Sequence, residues 1–245
     1  MARDLLGGII PKVDAHMHTS LTDGYGLPED YIQKSKENGL SAIAFTEHAD
    51  NTSIWFEDYV GNRGKWQKMG MPMQVYVAAE VKIANPDGTL NLAIEKINQL
   101  DFLVGVLHRY SDSAGRSLSF KELGSKEAMD IDYQLSLALI SNPMVDVFGH
   151  PGGVYSTYFG AYDYERLRKL IRFAAEKGKV VEINSKPRYR HVFSVILEQC
   201  LDLNCLISIG SDVHRIEEIG HVVSFLGQVL KTTRYSGNHY HLIQS

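Results

Sequence analysis

Six of the ten histidines in this chain, together with several carboxylates, stand at the ends of short apolar runs. The first pair forms the sequence His16-Met17-His18. Side chains at positions i and i+2 of a strand point to the same face, so His16 and His18 can present two imidazoles to one cation. This repetition indicates a multinuclear metal site. The later apolar runs end in Glu47 with His48, in Glu80, in His108, in His150, and in Asp212 with His214.

Imidazole and carboxylate ligands suit Zn²⁺, Mn²⁺ or Fe²⁺, and the set contains no thiolate. The two cysteines, Cys200 and Cys205, match neither a C-x-x-C redox pair nor a zinc-finger spacing, so we interpret both as buried thiols. A single histidine is more often an ordinary core or surface residue than a ligand. The ordered set favours a catalytic site with open coordination positions.

Seven apolar runs rich in Val, Ile and Phe predict the strands that position these residues. Near-continuous hydrophobicity is typical of parallel strands covered on both faces. The predicted strands are 12–18, 41–47, 74–83, 102–108, 145–150, 179–184 and 206–211. Helical patterns lie between them at 28–38, 126–141, 163–177, 190–203 and 217–230, and residues 51–72 are predicted as a loop or short helix near the site.

Alternation of strands and helices predicts an α/β fold, either a barrel or a doubly wound sheet. Nearly every predicted strand ends in a candidate ligand, and a barrel brings the C-terminal ends of all its strands to one mouth. We therefore favour a closed or nearly closed barrel of about seven strands. Residues 1–245 are expected to form one domain, with a core at 12–230 and a peripheral tail at 231–245.

Composition excludes several classes of function. A net charge of -4 argues against binding to long nucleic acid, which normally requires a basic face. No apolar run is long enough to span a membrane, and the N-terminus lacks the features of a secretory signal. The sequence therefore predicts a cytoplasmic protein with no membrane partner, and it leaves the oligomeric state open.

The order of these motifs resembles the polymerase and histidinol phosphatase (PHP) family. The resemblance runs from about residue 13 to residue 214, and it implies a distorted (β/α)7 barrel that binds divalent cations at its C-terminal mouth. The matching motifs are Asp14-Ala15-His16-Met17-His18-Thr19, Thr22-Asp23-Gly24, Thr46-Glu47-His48, Glu80, His108, Gly149-His150-Pro151 and Gly210-Ser211-Asp212-Val213-His214.

The resemblance also implies which residues bind each of two to three cations. The position of Asp23 varies in the family between histidine and aspartate, and without Asp23 the third site would be weak. Glu47 and Asp14 are interpreted as supports, Glu47 orienting His48 or a neighbouring ligand and Asp14 orienting a ligand or a loop. The implied sets are His16, His18, Glu80 and Asp212 for the first cation; the bridging Glu80 with His108 and His150 for the second; and Asp23, His48 and His214 for the third.

Two cations about 3.5–4 Å apart can share a water and direct it at phosphorus. The expected reaction is hydrolysis of a phosphoester by a metal-activated hydroxide, with Glu80 bridging the metals. Asp23 or His214 would protonate the leaving oxygen, and the sequence does not rank them.

Arginine offers a planar pair of donors to phosphate. Arg188 is the first candidate for a substrate-binding residue, because it resembles the arginine that phosphatases of this family place after the sixth strand. A solvated loop arginine is the competing interpretation. Arg109 is the second candidate, and Lys186 and Arg215 rank below it. Asn184 is expected to hydrogen-bond substrate or a metal-bound water, with Glu182 as buried support.

The favoured function is a stand-alone phosphatase for a small phosphomonoester such as histidinol phosphate, a nucleotide or a sugar phosphate. A phosphodiesterase or exonuclease could use the same metal centre, but it would require a basic groove that the sequence does not show. A noncatalytic metal-binding module would lack ligands, and here almost none are missing. Hydrolysis of a non-phosphate substrate also remains open.

Overall fold

The centre of the molecule is a sheet of seven parallel strands whose spatial order follows their order in the chain. The computed structural model describes residues 1–7, 10–112, 114–231, 233–236 and 239–242. Each predicted apolar run corresponds to one strand. The strands are β1 (Val13–Met17), β2 (Ala42–His48), β3 (Gln74–Lys82), β4 (Leu103–Val106), β5 (Val147–Phe148), β6 (Val180–Asn184) and β7 (Ile207–Gly210).

The sheet curves until its first strand meets the segment that follows its last. The His18 N–H donates to the Val213 carbonyl over 2.8 Å, and the Val213 N–H donates to the His16 carbonyl over 3.1 Å. Met17 and Val213 also form a parallel bridge. The seven strands thus form a nearly closed barrel, which confirms the predicted α/β barrel over the doubly wound sheet.

Helices cover the outside of the barrel. The segment 51–72, predicted as a loop or short helix, contains two consecutive helices, and the first of them buries Phe56 and Tyr59. The helix predicted at 217–230 begins later, because Ile216–Glu218 forms a short 3₁₀ turn. The helices are α1 (Pro28–Glu37), α2 (Phe56–Gly61), α3 (Arg63–Gly70), α4 (Ile94–Ile97), α5 (Ser125–Ser141), α6 (Gly153–Tyr158), α7 (Tyr164–Glu176), α8 (Arg190–Leu203) and α9 (His221–Lys231).

Helix α7 illustrates how local sequence sets these elements. Asp163 Oδ1 accepts hydrogen bonds from the backbone N–H groups of Glu165 and Arg166 at the start of the helix. Gly178, at a φ of +70°, follows its C-terminal end. The apolar residues at helical spacing are all buried, which fixes the face that packs on the barrel: Leu167, Leu170, Ile171 and Ala174.

The predicted tail forms a hairpin outside the barrel sheet. Strands β8 (Thr233–Ser236) and β9 (His239–Leu242) pair antiparallel, and β9 lies beside α8. Positions 232, 237–238 and 243–245 lie outside the described residues. Cys200 and Cys205 are buried free thiols, as predicted. Among the described residues, none of the helices has the length and apolar character needed to cross a membrane.

Candidate metal centre

The barrel mouth brings all nine predicted ligands into one cluster. The parallel strands end at this mouth, so residues far apart in the chain meet there. Their nitrogen and carboxylate oxygen atoms form overlapping groups, in which the candidate ligand atoms of each group lie within 4.8 Å of one another. The groups are His16, His18 and Asp212; His48, Glu80 and His108; and His18, Asp23, His48 and His214, with His150 joined to them through Glu80.

Glu80, at the mouth end of β3 and only 3% exposed, is the centre of this cluster. Its Oε1 lies 2.7 Å from His150 Nε2 and 3.3 Å from His108 Nε2. Its Oε2 lies 2.6 Å from His48 Nδ1. One buried carboxylate therefore faces three imidazoles, which is the arrangement required of a bridging ligand.

The first predicted cation position lies deeper in the barrel. His16 Nε2 and His18 Nε2 are 3.1 Å apart, and each lies 3.6 Å from an oxygen of Glu80. The Oδ1 atom of Asp212 is 3.6 Å from His18 Nε2. These four side chains are all buried, so the group is shielded from solvent.

The third predicted position is nearer to solvent. Asp23 Oδ2 lies 3.3 Å from both His48 Nε2 and His214 Nε2. His48 thus presents one ring nitrogen to Asp23 and the other to Glu80. The resemblance assigned His48 to the third cation, and the structure places its ring against both Asp23 of that set and Glu80 of the other two sets.

The donor set fits a divalent cation. Glu80 Oε2 is buried, and its contact with His48 lacks hydrogen-bond geometry, so this oxygen has no hydrogen-bond partner among the described residues. His16 Nε2 and His18 Nε2 face each other, and at most one of them can carry the proton of a hydrogen bond. A cation between nitrogen and carboxylate oxygen ligands satisfies both groups, as in open zinc sites.

The electrostatics of the centre also favour bound positive charge. Burial alone would lower the pKa of His16, but the carboxylates of Glu182 and Glu80 raise it to about 10. Burial would also lower the pKa of His48, but Asp23 and Glu80 raise it to about 10. Burial opposes ionisation of Glu80, but His108, His150 and His48 hold its pKa well below the usual range. Without a cation, protonated imidazoles must balance these carboxylates.

Buried carboxylates outside the predicted ligand set hold the ligand loops. Glu182 Oε1 lies 2.6 Å from His16 Nδ1, and its Oε2 accepts the His150 N–H over 2.5 Å. Asp14 accepts the N–H groups of Ser211 and Gly220, each over 2.8 Å, and so fixes the loop that carries Asp212. Asp14 is therefore a loop anchor, one of the two roles proposed for it.

Glu47 supports the loop that carries Asp23. One of its oxygens accepts the Thr19 N–H and hydroxyl over 2.9 and 2.6 Å, and the other accepts the Thr22 hydroxyl. Burial raises the pKa of Glu47 to about 7, although these hydrogen bonds act to lower it. Of the two supporting roles proposed, the contacts of Glu47 fit support of the loop that carries the candidate ligand Asp23. Glu47 forms no hydrogen bond with His48 among the described contacts.

Two candidate ligands have unusual backbones. His150 and Asp212 adopt positive φ values of 24° and 53°, which side-chain-bearing residues rarely adopt. Such conformations persist only where surrounding contacts hold them, and they are common at functional sites. The hydrogen bonds of Glu182 and Asp14 supply those contacts.

A cavity of about 240 Å³ opens from the cluster to solvent. Arg188 borders it with a side chain that is 46% exposed, and one of its terminal nitrogens lies 3.4 Å from Asp212 Oδ2. The guanidinium also lies over the ring of Tyr189. The remaining lining comes from the candidate ligands, from α6 and from Tyr189; the residues other than Tyr189 are Asp23, His48, Glu80, His108, His150, Gly153, Val154, Thr157, Tyr158, Asp212 and His214.

The other predicted substrate-binding residues lie elsewhere. Arg109 is exposed and is not among the residues that line the cavity. Asn184 is buried, donates to Glu182 over 3.4 Å and accepts the Lys186 N–H over 3.0 Å, so its amide is occupied by internal contacts. Arg188 is the candidate that the structure brings to the cavity.

Lys186, ranked low in the sequence analysis, contacts the centre directly. Its Nζ lies 3.1 Å from Asp212 Oδ1 and 3.0 Å from His214 Nδ1, and it donates to the Asp212 carbonyl over 3.0 Å. The sequence signal was that Lys186 lies two residues before Arg188. That spacing could not indicate that the Lys186 side chain turns toward the centre.

The sequence matches the PHP domain over residues 14–186, which is more than half of the chain. The chain belongs to the PHP domain family. This PHP domain protein is 25% identical over 214 residues to a probable phosphatase of Caldicellulosiruptor saccharolyticus, covering 83% of this chain and 80% of the relative. It is 23% identical over 221 residues to a probable phosphatase of Vibrio vulnificus, covering 85% and 80%. These findings confirm the predicted family and enzyme class, a hydrolase acting on phosphoric ester bonds.

Solved structures share the fold of this PHP domain protein. The histidinol phosphate phosphatase of Lactococcus lactis, solved with zinc, L-histidinol and phosphate, has a TM-score of 0.70 at 20% identity and covers 95% of this chain and 98% of its own. A proposed histidinol phosphatase from Listeria monocytogenes has a TM-score of 0.68 at 17% identity, covering 87% and 99%. Both likenesses support the predicted barrel.

Proposed function

We propose that this PHP domain protein is a metal-dependent phosphatase that hydrolyses a small phosphomonoester. The observation that carries the proposal is that the Glu80 cluster and Arg188 border the same cavity. At about 240 Å³, this cavity is smaller than the range of about 300–1,000 Å³ typical of sites for drug-sized ligands. A small substrate fits it better than a polymer does.

The residues present would hold two to three divalent cations, in the three groups described above. Zn²⁺, Mn²⁺ and Fe²⁺ all suit nitrogen and carboxylate ligands. Bound there, such cations lower the pKa of water and neutralise phosphate charge. The carboxylate of Glu80 holds the neighbouring ligands together.

Arg188 supplies a fixed positive charge at the cavity edge. Its guanidinium can donate two parallel hydrogen bonds to phosphate oxygens, which orients the ester at the cluster. Asp23 Oδ2 and His214 Nε2 lie 3.3 Å apart beside the cavity. Either side chain can orient a water that protonates the leaving oxygen.

Histidinol phosphate is one candidate substrate, because the Lactococcus lactis structure was solved with L-histidinol and phosphate. Nucleotide and sugar phosphates are the other candidates. The phosphodiesterase alternative has no specific support, since the net charge of -4 gives no basis for attracting a nucleic acid.

The proposal is tested by phosphate release from a panel of phosphomonoesters and diesters, with protein loaded separately with Mn²⁺, Zn²⁺ or Fe²⁺. Release is expected from one monoester class. Arg188→Ala is expected to raise KM at least about tenfold, since a hydrogen bond to a charged group contributes roughly 1.5–3 kcal/mol. Arg109→Ala is the matched control and should leave KM unchanged, because Arg109 is exposed and away from the cavity lining. Activity on diesters alone would contradict the proposal.

A further inference from the structure

Asp132, on α5, is a buried carboxylate outside the ligand cluster. Its side chain is 1% exposed, yet both oxygens are used. Oδ2 accepts the hydroxyl of Tyr110 over 2.8 Å, and Oδ1 accepts the hydroxyl of Tyr162 over 2.7 Å. The two tyrosines are themselves buried and come from different segments of the barrel mouth. A single acceptor on α5 thus joins two loops.

The first of these loops carries His108. Tyr110 follows His108 by two residues, after β4 has ended. The Tyr110 carbonyl accepts the Leu118 N–H over 3.0 Å, and its ring packs edge-on against Phe120 at 5.2 Å between centroids. The hydroxyl bond to Asp132 therefore anchors the first turn of chain beyond a candidate ligand.

The second loop carries His150. The ring of Tyr162 lies against Gly152, where an added Cβ would meet Tyr162 Cδ2 at 2.8 Å. Gly152 has a φ of +72° and precedes α6, two residues beyond His150. Asp132 also lines a small internal cavity together with Leu107 and His150. The carboxylate is thus adjacent to both ligand-bearing segments.

We propose that Asp132 is a positioning residue which, through Tyr110 and Tyr162, sets the two loops that present His108 and His150 to Glu80. The inference rests on the proposed metal centre. Asp132 would thereby influence the affinity of the second cation position, because both histidines of that position, His108 and His150, lie on the segments that it holds. The first position, built from β1, β3 and the segment after β7, does not depend on it.

The test uses variants that remove hydroxyl groups and keep the aromatic packing. In the double variant Tyr110→Phe/Tyr162→Phe, titration with Mn²⁺ alone, followed by the electron paramagnetic resonance signal of free Mn²⁺, is expected to show about tenfold weaker binding of one ion. Asp132→Asn should weaken the binding of the same ion by less than the double variant does, because the amide oxygen still accepts a hydrogen bond from one tyrosine hydroxyl. Tyr164→Phe removes a neighbouring hydroxyl that bonds to the His191 carbonyl instead of Asp132, and it should bind Mn²⁺ as wild type does.

A thermodynamic cycle separates positioning from general loss of stability. On a His150→Ala background, the hydroxyl variants should have no further effect, because the ion they influence is already lost. Leu226→Ala, which leaves a cavity under α9, destabilises the fold and should keep wild-type Mn²⁺ affinity. Equal affinities in wild type and the double variant would overturn the role of Asp132. A wild-type chain that binds no Mn²⁺ would instead overturn the metal centre on which it rests.

Discussion

Glu182 Oε1 lies 2.6 Å from His16 Nδ1, and both side chains are buried. In a neutral His16 ring this contact would hold the proton on Nδ1, and Nε2 faces His18 and Glu80. Outer carboxylates of this kind orient a histidine ligand and raise its basicity. The same Glu182 accepts the His150 N–H through its other oxygen, so one side chain orders ligands from two strands.

Glu182→Gln is therefore expected to weaken metal binding about 10–100-fold, since the amide orients His16 less strongly. Competition with a chromogenic chelator measures the affinity. Glu165→Gln, at an exposed position on α7, is the matched control and should leave it unchanged. Equal affinity in both variants would show that Glu182 does not tune the centre.

Asp23→Ala is expected to remove one bound cation per chain and to leave the others in place. Among the described residues, Asp23 joins only the group with His18, His48 and His214, so the deeper candidate ligands keep their partners. Elemental analysis of the protein after gel filtration gives the number of ions. Asp58→Ala, on the exposed face of α2, serves as the control, and an unchanged ion count in Asp23→Ala would argue against a third site.

Gly105→Ala is expected to lower the free energy of unfolding by about 1–3 kcal/mol through overpacking. An added Cβ on β4 would meet Val145 Cγ2 at 2.8 Å and Leu139 Cδ1 at 3.0 Å. Gly64→Ala on α3 meets nothing within 4 Å and should stabilise by up to about 0.5–1 kcal/mol. Urea denaturation gives the free energy of unfolding of both variants. Similar free energies would show that the residues around β4 move aside to accept the added methyl group.

Stability should depend on pH through Asp132. Burial raises its pKa from 3.8 to about 6, against the hydrogen bonds from Tyr162 and Tyr110. The native state therefore holds a proton that the unfolded chain releases between these values, and stability falls as pH rises from about 4 to above 6. The unfolding free energy of wild type minus that of Asp132→Asn should fall by about 3 kcal/mol as the pH rises over that range. Denaturation in chelator at several pH values measures it, and a constant difference would contradict the assignment.

Much of the barrel follows from local sequence. The apolar runs locate each strand because strands covered on both faces need continuous hydrophobicity. The predicted strand ends were less accurate, because candidate ligands such as His108 and His150 lie beyond the last residues that pair between β4 and β5. The helices within 51–72 were not resolved from the sequence, because that segment lacks a helical period and its aromatic residues pack through tertiary contacts.

The cluster of candidate ligands could be predicted because their order along the chain is distinctive, whereas the contacts that support them could not. Glu182 could be placed as buried support, but its link between His16 and the His150 backbone depends on the closure of the barrel. Arg109 follows a candidate ligand directly, yet the chain turns it outward into solvent. Which side of a loop faces the cavity is decided by tertiary packing and cannot be read from sequence spacing.

The most direct test of the account follows phosphate release from a responsive monoester while Mn²⁺ is titrated back into chelated protein. We predict that release rises with the number of bound ions, and that His16→Ala, which lacks a ligand of the buried first position, stays inactive at every concentration. Release that persists without bound metal, or that is equal in His16→Ala, would contradict a metal-dependent phosphatase.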